Sequence, residues 1–212
     1  MTELLYGIFG GTFDPIHKGH LNTVSSVRKQ CNLERVHFIP ASIPPHRDIP
    51  GATAQQRLEM VTIAIAGYPG FDVDDRELRR DTPSYTFDTV KSLQEDNPGR
   101  NYCFILGVDA FVGLEKWYRW RDLLDQVHFI IMQRPGWQAP SPLPIWWSER
   151  RMSDCDKLRG KACGGIVEIE VEPNPVSATE IRYGVANNVD ISPMVTDAVR
   201  NYICSNNLYQ NE

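Results

Sequence analysis

No apolar run in the 212 residues approaches the ~20 that a membrane-crossing helix needs. No basic, apolar and small-residue leader opens the chain, so the expected location is cytoplasmic, with no membrane partner. Positive charge is in deficit: 22 Lys and Arg stand against 27 Asp and Glu, for a net charge of -5. That balance argues against a general nucleic-acid binder, and any polyanionic ligand must be held by a local cluster working against the overall field. The five cysteines (Cys31, Cys103, Cys155, Cys163 and Cys204) are odd in number and include no C-x-x-C pair. A structural zinc site lacks its ligand spacing, and reduced, mostly buried thiols are the expectation. Both common phosphate loops, G-x-x-x-x-G-K-[ST] and G-x-G-x-x-G, are missing. So are internal repeats, low-complexity tracts and any convincing Ser-His-Asp or Cys-His set.

Strand-like and helix-like segments are present, and they alternate. Leu4 to Phe9, Arg35 to Pro40, Tyr102 to Leu106, "VHFIIMQR" and "GIVEIEV" read as buried strands, with "FDVDD" a weaker one. Between them run helical patterns: one carries Leu21, Val24, Val27 and Cys31, a second is capped by Thr53, and a third, "PSYTFDTVKSLQEDNPG", closes at Asn97-Pro98-Gly99. A helical stretch through Trp117 and Leu124 follows, and two helices capped by Ser177 and Ser192 end the pattern. This predicts the α/β class: a doubly wound parallel sheet with C-terminal helices, in one domain over residues 1–212 with an irregular, proline-rich segment at 134–165. A strand order of 3-2-1-4-5 would set the loops "GGTFDPIHKGH" and "GVDAF" side by side at one crevice, where such sheets bind ligands.

The stretch "FGGTFDPIHKGH" leaves the first strand and enters the first helix. Gly10 and Gly11 permit unusual backbone angles and close approach of a ligand. His17 and His20 lie one turn apart, on one helix face, at the end where free N–H groups and the positive end of the helix dipole lie. Together they make a phosphate cradle with two imidazole donors. A histidine at a helix start is also an ordinary cap or surface residue, and a glycine-rich turn by itself is a weak signal. His37 and His128 fall inside strands and read as packing residues.

"GTFDPIHKGH" resembles the T/H-x-G-H signature of the nucleotidyltransferase superfamily. The longer string is similar to its bacterial nicotinate mononucleotide adenylyltransferase branch. "IPPHR", "PSYTFDT", "GVDAF", "KWYRW", "RPG" and "VSATEIR" follow in the family's order, from about Gly7 to Arg182. The resemblance implies a Rossmann-like nucleotidyltransferase fold and a transfer of adenylyl from ATP to nicotinate mononucleotide, giving nicotinate adenine dinucleotide and pyrophosphate. Nicotinamide mononucleotide or phosphopantetheine as acceptor, or a non-catalytic nucleotide-binding module, are the alternatives.

By that resemblance His17, His20 and Arg182 are the catalytic residues. They bind ATP together with Gly10, Gly11, Thr12, His46, Arg47, Arg134, Ser177 and Thr179. Thr86, Asp109, Trp117 and Tyr118 take the mononucleotide. Mg²⁺ travels with ATP and no protein metal site is implied. A positive set of His17, Lys18, His20, His46, Arg47, Arg134 and Arg182 would offset the acidic balance of the whole. The segment 134–165, including Trp146 and Trp147, carries no assigned role, and Trp120 reads as core.

Overall fold

A computed structural model describes residues 3–42 and 50–210; His46 and Arg47 of the expected site lie outside them. Six strands, β1 (Leu5–Gly11), β2 (Arg35–Pro40), β3 (Phe71–Val73), β4 (Asn101–Gly107), β5 (His128–Gln133) and β6 (Ile166–Glu170), form one sheet in the order β3-β2-β1-β4-β5-β6. The expected 3-2-1-4-5 order is thus present, extended by one strand. The pairs β1–β4, β4–β5 and β5–β6 are parallel, with Ile8 level with Phe104, Phe104 with Phe129 and Phe129 with Ile166. Tyr102 to Leu106 are buried without alternation, the pattern of a strand covered on both faces.

Eight α-helices accompany the sheet among the described residues: α1 (Lys18–Gln30), α2 (Ala54–Ile65), α3 (Thr86–Asp96), α4 (Val108–Val112), α5 (Trp120–Leu124), α6 (Ile145–Ser148), α7 (Ala178–Ala186) and α8 (Asp197–Ser205). Thr53 caps α2 and Ser177 caps α7, each in a reciprocal capping box with the residue three positions on. The cap of α8 is Thr196, whose side chain accepts from Val199 N–H, and not Ser192. Ser192 instead turns its N–H and hydroxyl to the Asp190 carboxylate, at 2.9 and 2.7 Å. The expected helix after β4 breaks into α4, a 3-10 turn at Leu114–Lys116 and α5, with Arg119 in the left-handed region at φ 52° between the last two.

The chain divides into two compact units. One comprises residues 3–9, 25–37 and 85–173, the other residues 10–24, 38–42, 50–84 and 174–210. In the first, Ile8, Val27, Val36, Cys103, Phe111, Phe129, Ile130 and Leu158 make the core. The irregular 134–165 segment contributes to it: Trp147 is 1% exposed, meets Phe111 edge-on at 4.8 Å and donates through Nε1 to Glu168 at 3.2 Å. Proline-rich sequence hid that role, because a single anchoring indole leaves no periodic pattern. Trp120, read as core, is only half-buried, with the Arg121 guanidinium over its ring at 4.5 Å.

The expectation of reduced thiols fails at one pair. Cys31, at the end of α1, and Cys155, at the start of a 3-10 stretch, are disulfide-bonded with Cα atoms 5.1 Å apart across 124 residues. Arg159 stands beside them and donates to the carbonyls of Glu3, Cys31 and Asn32. Cys103 is a free buried thiol whose pKa burial pushes up, which leaves it inert. In the second unit, Phe13, Ile16, Leu21, Val24, Phe38, Met60, Val61, Ile181, Val195 and Val199 pack together.

Candidate active site

His17 directly precedes α1. Its Nδ1 accepts the N–H of His20 at 3.3 Å, so the side chain caps one of the orphan amides of the first turn. An N–H donor on Nδ1 fixes the tautomer: the lone pair is on Nδ1 and the proton on Nε2. Burial pushes the His17 pKa down to about 4, against a smaller upward pull from the Glu180 carboxylate. At neutral pH His17 is therefore an uncharged donor, and it leaves the positive set expected from sequence. The cap that the sequence offered as the ordinary reading is present, and it leaves the proton on Nε2. The His20 ring stacks on His17 at 3.7 Å and receives the Phe13 ring edge-on at 5.3 Å.

The glycine between the histidines has a steric cause. A Cβ on Gly19 would lie 2.8 Å from His17 Nδ1 and 3.4 Å from the Val176 carbonyl oxygen. Only a residue without a side chain lets the imidazole fold back over the helix start. Gly11 is similar, since its Cβ would meet the Phe13 ring at 3.0 Å. Gly10 and Gly11 belong to β1 with ordinary negative φ, so the backbone freedom expected of them is not used; the left-handed residue of the turn is Phe13, at φ 51°.

The start of α7 lies against this turn, as the Val176 carbonyl and the Glu180 charge both indicate. Arg182 donates from Nη1 to the Asp14 carbonyl at 2.8 Å, and the same nitrogen is 3.9 Å from Asp14 Oδ2. The capping box occupies Ser177: its N–H and hydroxyl both go to Glu180 Oε2, at 3.0 and 2.8 Å, and its oxygen accepts from Glu180 N–H. What α7 offers an anion is thus the first-turn N–H groups of Ala178 and Thr179, the exposed Thr179 hydroxyl and Arg182. Lys18 is tethered elsewhere, its N–H to Met194 O at 2.8 Å and its Nζ to Ser192 O at 2.9 Å. Gly10, Gly11, Thr12, His17, His20, Ser177, Thr179 and Arg182 accordingly all sit in one unit.

Thr86, Asp109, Trp117, Tyr118 and Arg134 sit in the other unit. Thr86 opens α3, and the cap position, Tyr85, makes no side-chain capping bond. The start of α3 thus carries no side-chain cap from Tyr85, whereas Ser177 caps α7. Tyr118 is half exposed and packs on Tyr85 at 4.7 Å and on the edge of Phe87 at 6.4 Å. Trp117 meets Phe104 of β4 edge-on at 5.9 Å with its ring partly open. Asp109 is exposed in the first turn of α4, whose cap is Gly107, so it is not the helix cap. Arg134 is exposed just past β5.

Residues 8–184 match the Cytidylyltransferase-like family. A Yersinia enterocolitica protein described as a probable nicotinate-nucleotide adenylyltransferase is 41% identical over 213 residues, covering 99% of this chain and 97% of its own. The Pseudomonas syringae pv. tomato protein of the same description is 42% identical over 207 residues, covering 96% and 93%. The chain belongs to the nicotinate-nucleotide adenylyltransferase family. Two solved structures share the fold over 99% of each chain: Plasmodium falciparum nicotinic acid mononucleotide adenylyltransferase complexed with NaAD (19% identity, TM-score 0.75) and the same enzyme complexed with APC (18%, 0.72).

Three residues that hold the Thr12–Asp14 turn gave no signal in the sequence: Asp14, Arg57 and Tyr209. Arg57 is 1% exposed and donates to the carbonyls of Ala52, Thr12 and Ser42, at 3.3, 2.6 and 3.2 Å. Burial pushes its pKa down, while Asp14 and Tyr209 pull it up. In sequence Arg57 is one cation on an amphipathic helix, where the ordinary reading is a solvated face. Only its place on the buried side of α2, beside Met60 and Val61, sets it apart.

Proposed function

We propose that this chain transfers the adenylyl group of ATP to nicotinate mononucleotide, forming nicotinate adenine dinucleotide and pyrophosphate. Full-length likeness to relatives of that description supports the reaction. The observation that carries the mechanism is the neutral His17 held in one tautomer by the His20 N–H. A phosphate oxygen of the mononucleotide attacks the α-phosphorus of ATP; the new P–O bond forms as the bond to the bridging oxygen breaks, and that electron pair leaves on pyrophosphate. The attacking phosphate is already ionised, so no proton has to be removed and no protein nucleophile or general base is required.

Charge grows on the leaving phosphates. The fixed Nε2–H of His17, the His20 imidazole and the Arg182 guanidinium donate hydrogen bonds there, aided by the Gly10–Thr12 backbone and by the α7 start with Ser177 and Thr179. A neutral donor suits this work, because it neither takes up nor releases a proton near pH 7. Mg²⁺ would be held by the ATP phosphates with no protein ligand, and would supply further charge neutralisation there. The donors that surround the turn are nitrogen groups suited to phosphate, and among the described residues no three His, Cys, Asp or Glu side chains gather to hold a metal.

Thr86 and the start of α3 receive the nicotinate carboxylate, Trp117 stacks on the pyridine ring beside Tyr118, Asp109 accepts from ribose hydroxyls and Arg134 lines the adenine side. His46 and Arg47, outside the described residues, add charge to the triphosphate. The substrates are metabolites of the cell interior, which puts the reaction in the cytoplasm. The test is pyrophosphate release from ATP and Mg²⁺ with nicotinate mononucleotide, nicotinamide mononucleotide or phosphopantetheine. Release should be fastest with the nicotinate compound. No release with either pyridine mononucleotide would sink the assignment, and faster release with nicotinamide mononucleotide would move it to the amide.

A further inference from the structure

Asp14 is the most heavily used side chain of the phosphate turn, and the reaction above gives it no task. Its carboxylate is buried and fully committed to donors. Oδ2 accepts Gly51 N–H at 2.8 Å, Oδ1 accepts Ala52 N–H at 3.1 Å, and Oδ1 also accepts the Tyr209 hydroxyl at 2.8 Å. Arg182 reaches the same residue through its carbonyl. The buried Arg57 guanidinium grips the turn from its other side through Thr12 O, and Ala52 is bound by both, its N–H to Asp14 and its carbonyl to Arg57.

A buried cation and a buried anion that spend themselves on main-chain groups are costly to desolvate, and a hydrophobic pair of similar volume would stabilise the fold at least as well. What the charges add is rigidity and a single geometry. The Asp14 bonds and the Arg57 bond to Thr12 O converge on residues 12–14, one turn before His17, where Arg182, the arginine assigned to the leaving phosphates, also binds. Tyr209 follows α8, and its ring is buried too, so its hydroxyl reaches Asp14 from a seat already fixed by packing.

We propose that Asp14, completed by the Tyr209 hydroxyl, is a positioning residue of the nucleotidyl transfer: it locks the Thr12–Asp14 turn to Arg182 so that Arg182 and His17 meet the triphosphate in one fixed arrangement. The role rests on the assignment of an ATP-dependent transfer made above. Asp14 touches no reacting atom and acts through the groups it holds. Tyr209→Phe is the sensitive probe, since it deletes one hydroxyl and keeps the ring. Misplacing catalytic groups by a fraction of an ångström to one ångström costs between several-fold and ~10²-fold in rate.

The experiment measures kcat, both KM values, affinity for a non-hydrolysable ATP analogue by calorimetry, and Tm, for the wild type, Tyr209→Phe and Asp14→Asn. Tyr209→Phe should lower kcat about tenfold and weaken the analogue several-fold, leaving KM for the mononucleotide within about twofold. Asp14→Asn should lose about 10²-fold in kcat, because its amide nitrogen faces donors. A Tyr209→Phe protein with a lower Tm but wild-type kcat and analogue affinity would make the network purely structural and overturn the proposal. Should Asp14→Asn fail to fold, Tyr209→Phe decides alone. If the wild type binds the analogue but releases no pyrophosphate with any acceptor, the assigned reaction fails, and a weaker analogue affinity in Tyr209→Phe still upholds the positioning role.

Discussion

His17 and His128 are alike by every ordinary measure of a buried histidine. Both are buried, burial pushes both pKa values down to about 4, and both are neutral at pH 7. They differ in how many ring nitrogens the protein itself consumes. His128 spends two: Nδ1 accepts Gly165 N–H at 3.0 Å and Nε2 meets the Lys161 carbonyl at 2.9 Å, so it staples the chain ahead of β6 to β5. His17 spends one, on its own helix start, and among the described residues no hydrogen bond takes the other. A depressed pKa thus marks burial in both and function in neither. The unspent donor is what separates the imidazole proposed to work on phosphate from the structural one.

The largest expected effect tests that unspent donor. Asparagine is a good helix cap, so His17→Asn should keep the start of α1 while deleting the Nε2 donor. It should lower kcat by ~10²–10³-fold with stability changed by less than about 1 kcal/mol. A modest loss of rate with a large loss of stability would reduce His17 to a cap. The mirror substitution, His128→Leu, leaves the Gly165 N–H and Lys161 carbonyl unpaired and should cost about 2–4 kcal/mol in urea unfolding with kcat near wild type.

The pH dependence of stability sharpens the same contrast. The folded pKa of His128 lies near 4 and its unfolded value near 6.5, so between these the unfolded chain binds a proton that the folded chain refuses. Stability therefore falls as pH drops from 6.5 toward 4, by up to ~3 kcal/mol for this one group. His17 follows the same sign, but bound ATP should raise its pKa and shrink its share of the slope. Urea titrations with and without an ATP analogue would show this, and a slope insensitive to the analogue would place His17 away from the phosphates. The smallest effect is steric: Gly19→Ala should cost about tenfold in kcat by turning the His17 ring, given a methyl 2.8 Å from its nitrogen, and wild-type activity would mean the ring has room.

Much of the fold was legible because its signals are local and periodic. Tyr102 to Leu106 announce a strand buried on both faces, and Thr53 with Gln56, or Ser177 with Glu180, announce helix starts. The histidine pair was legible as a motif, but its physics was not. No spacing reveals that Glu180 fills the Ser177 cap, or that His17 is neutral, since both depend on burial and on which acceptor arrives first. Ser192 looked like a cap because serine at a helix-like boundary usually is one, and Asp190 captured it instead. Asp14, Arg57 and Tyr209 stayed hidden because their meaning lies entirely in contacts between distant segments. The Cys31–Cys155 bond was hidden for the same reason.

The turn that leads from β1 into α1 also has a history in time. Residues 12–20 are made early, yet the groups that finish the turn come far later: the Arg182 bond spans 168 residues, the Lys18–Ser192 bond 174 and the Asp14–Tyr209 bond 195. Closing loops of that length is an entropic toll that local helices and strands must first prepare for. Gly51, Ala52 and Arg57 can hold the turn once they are made, but its bonds to Arg182, Ser192 and Tyr209 must wait for the last part of the chain. The turn reaches its final arrangement only when residues beyond 174 have folded back onto it.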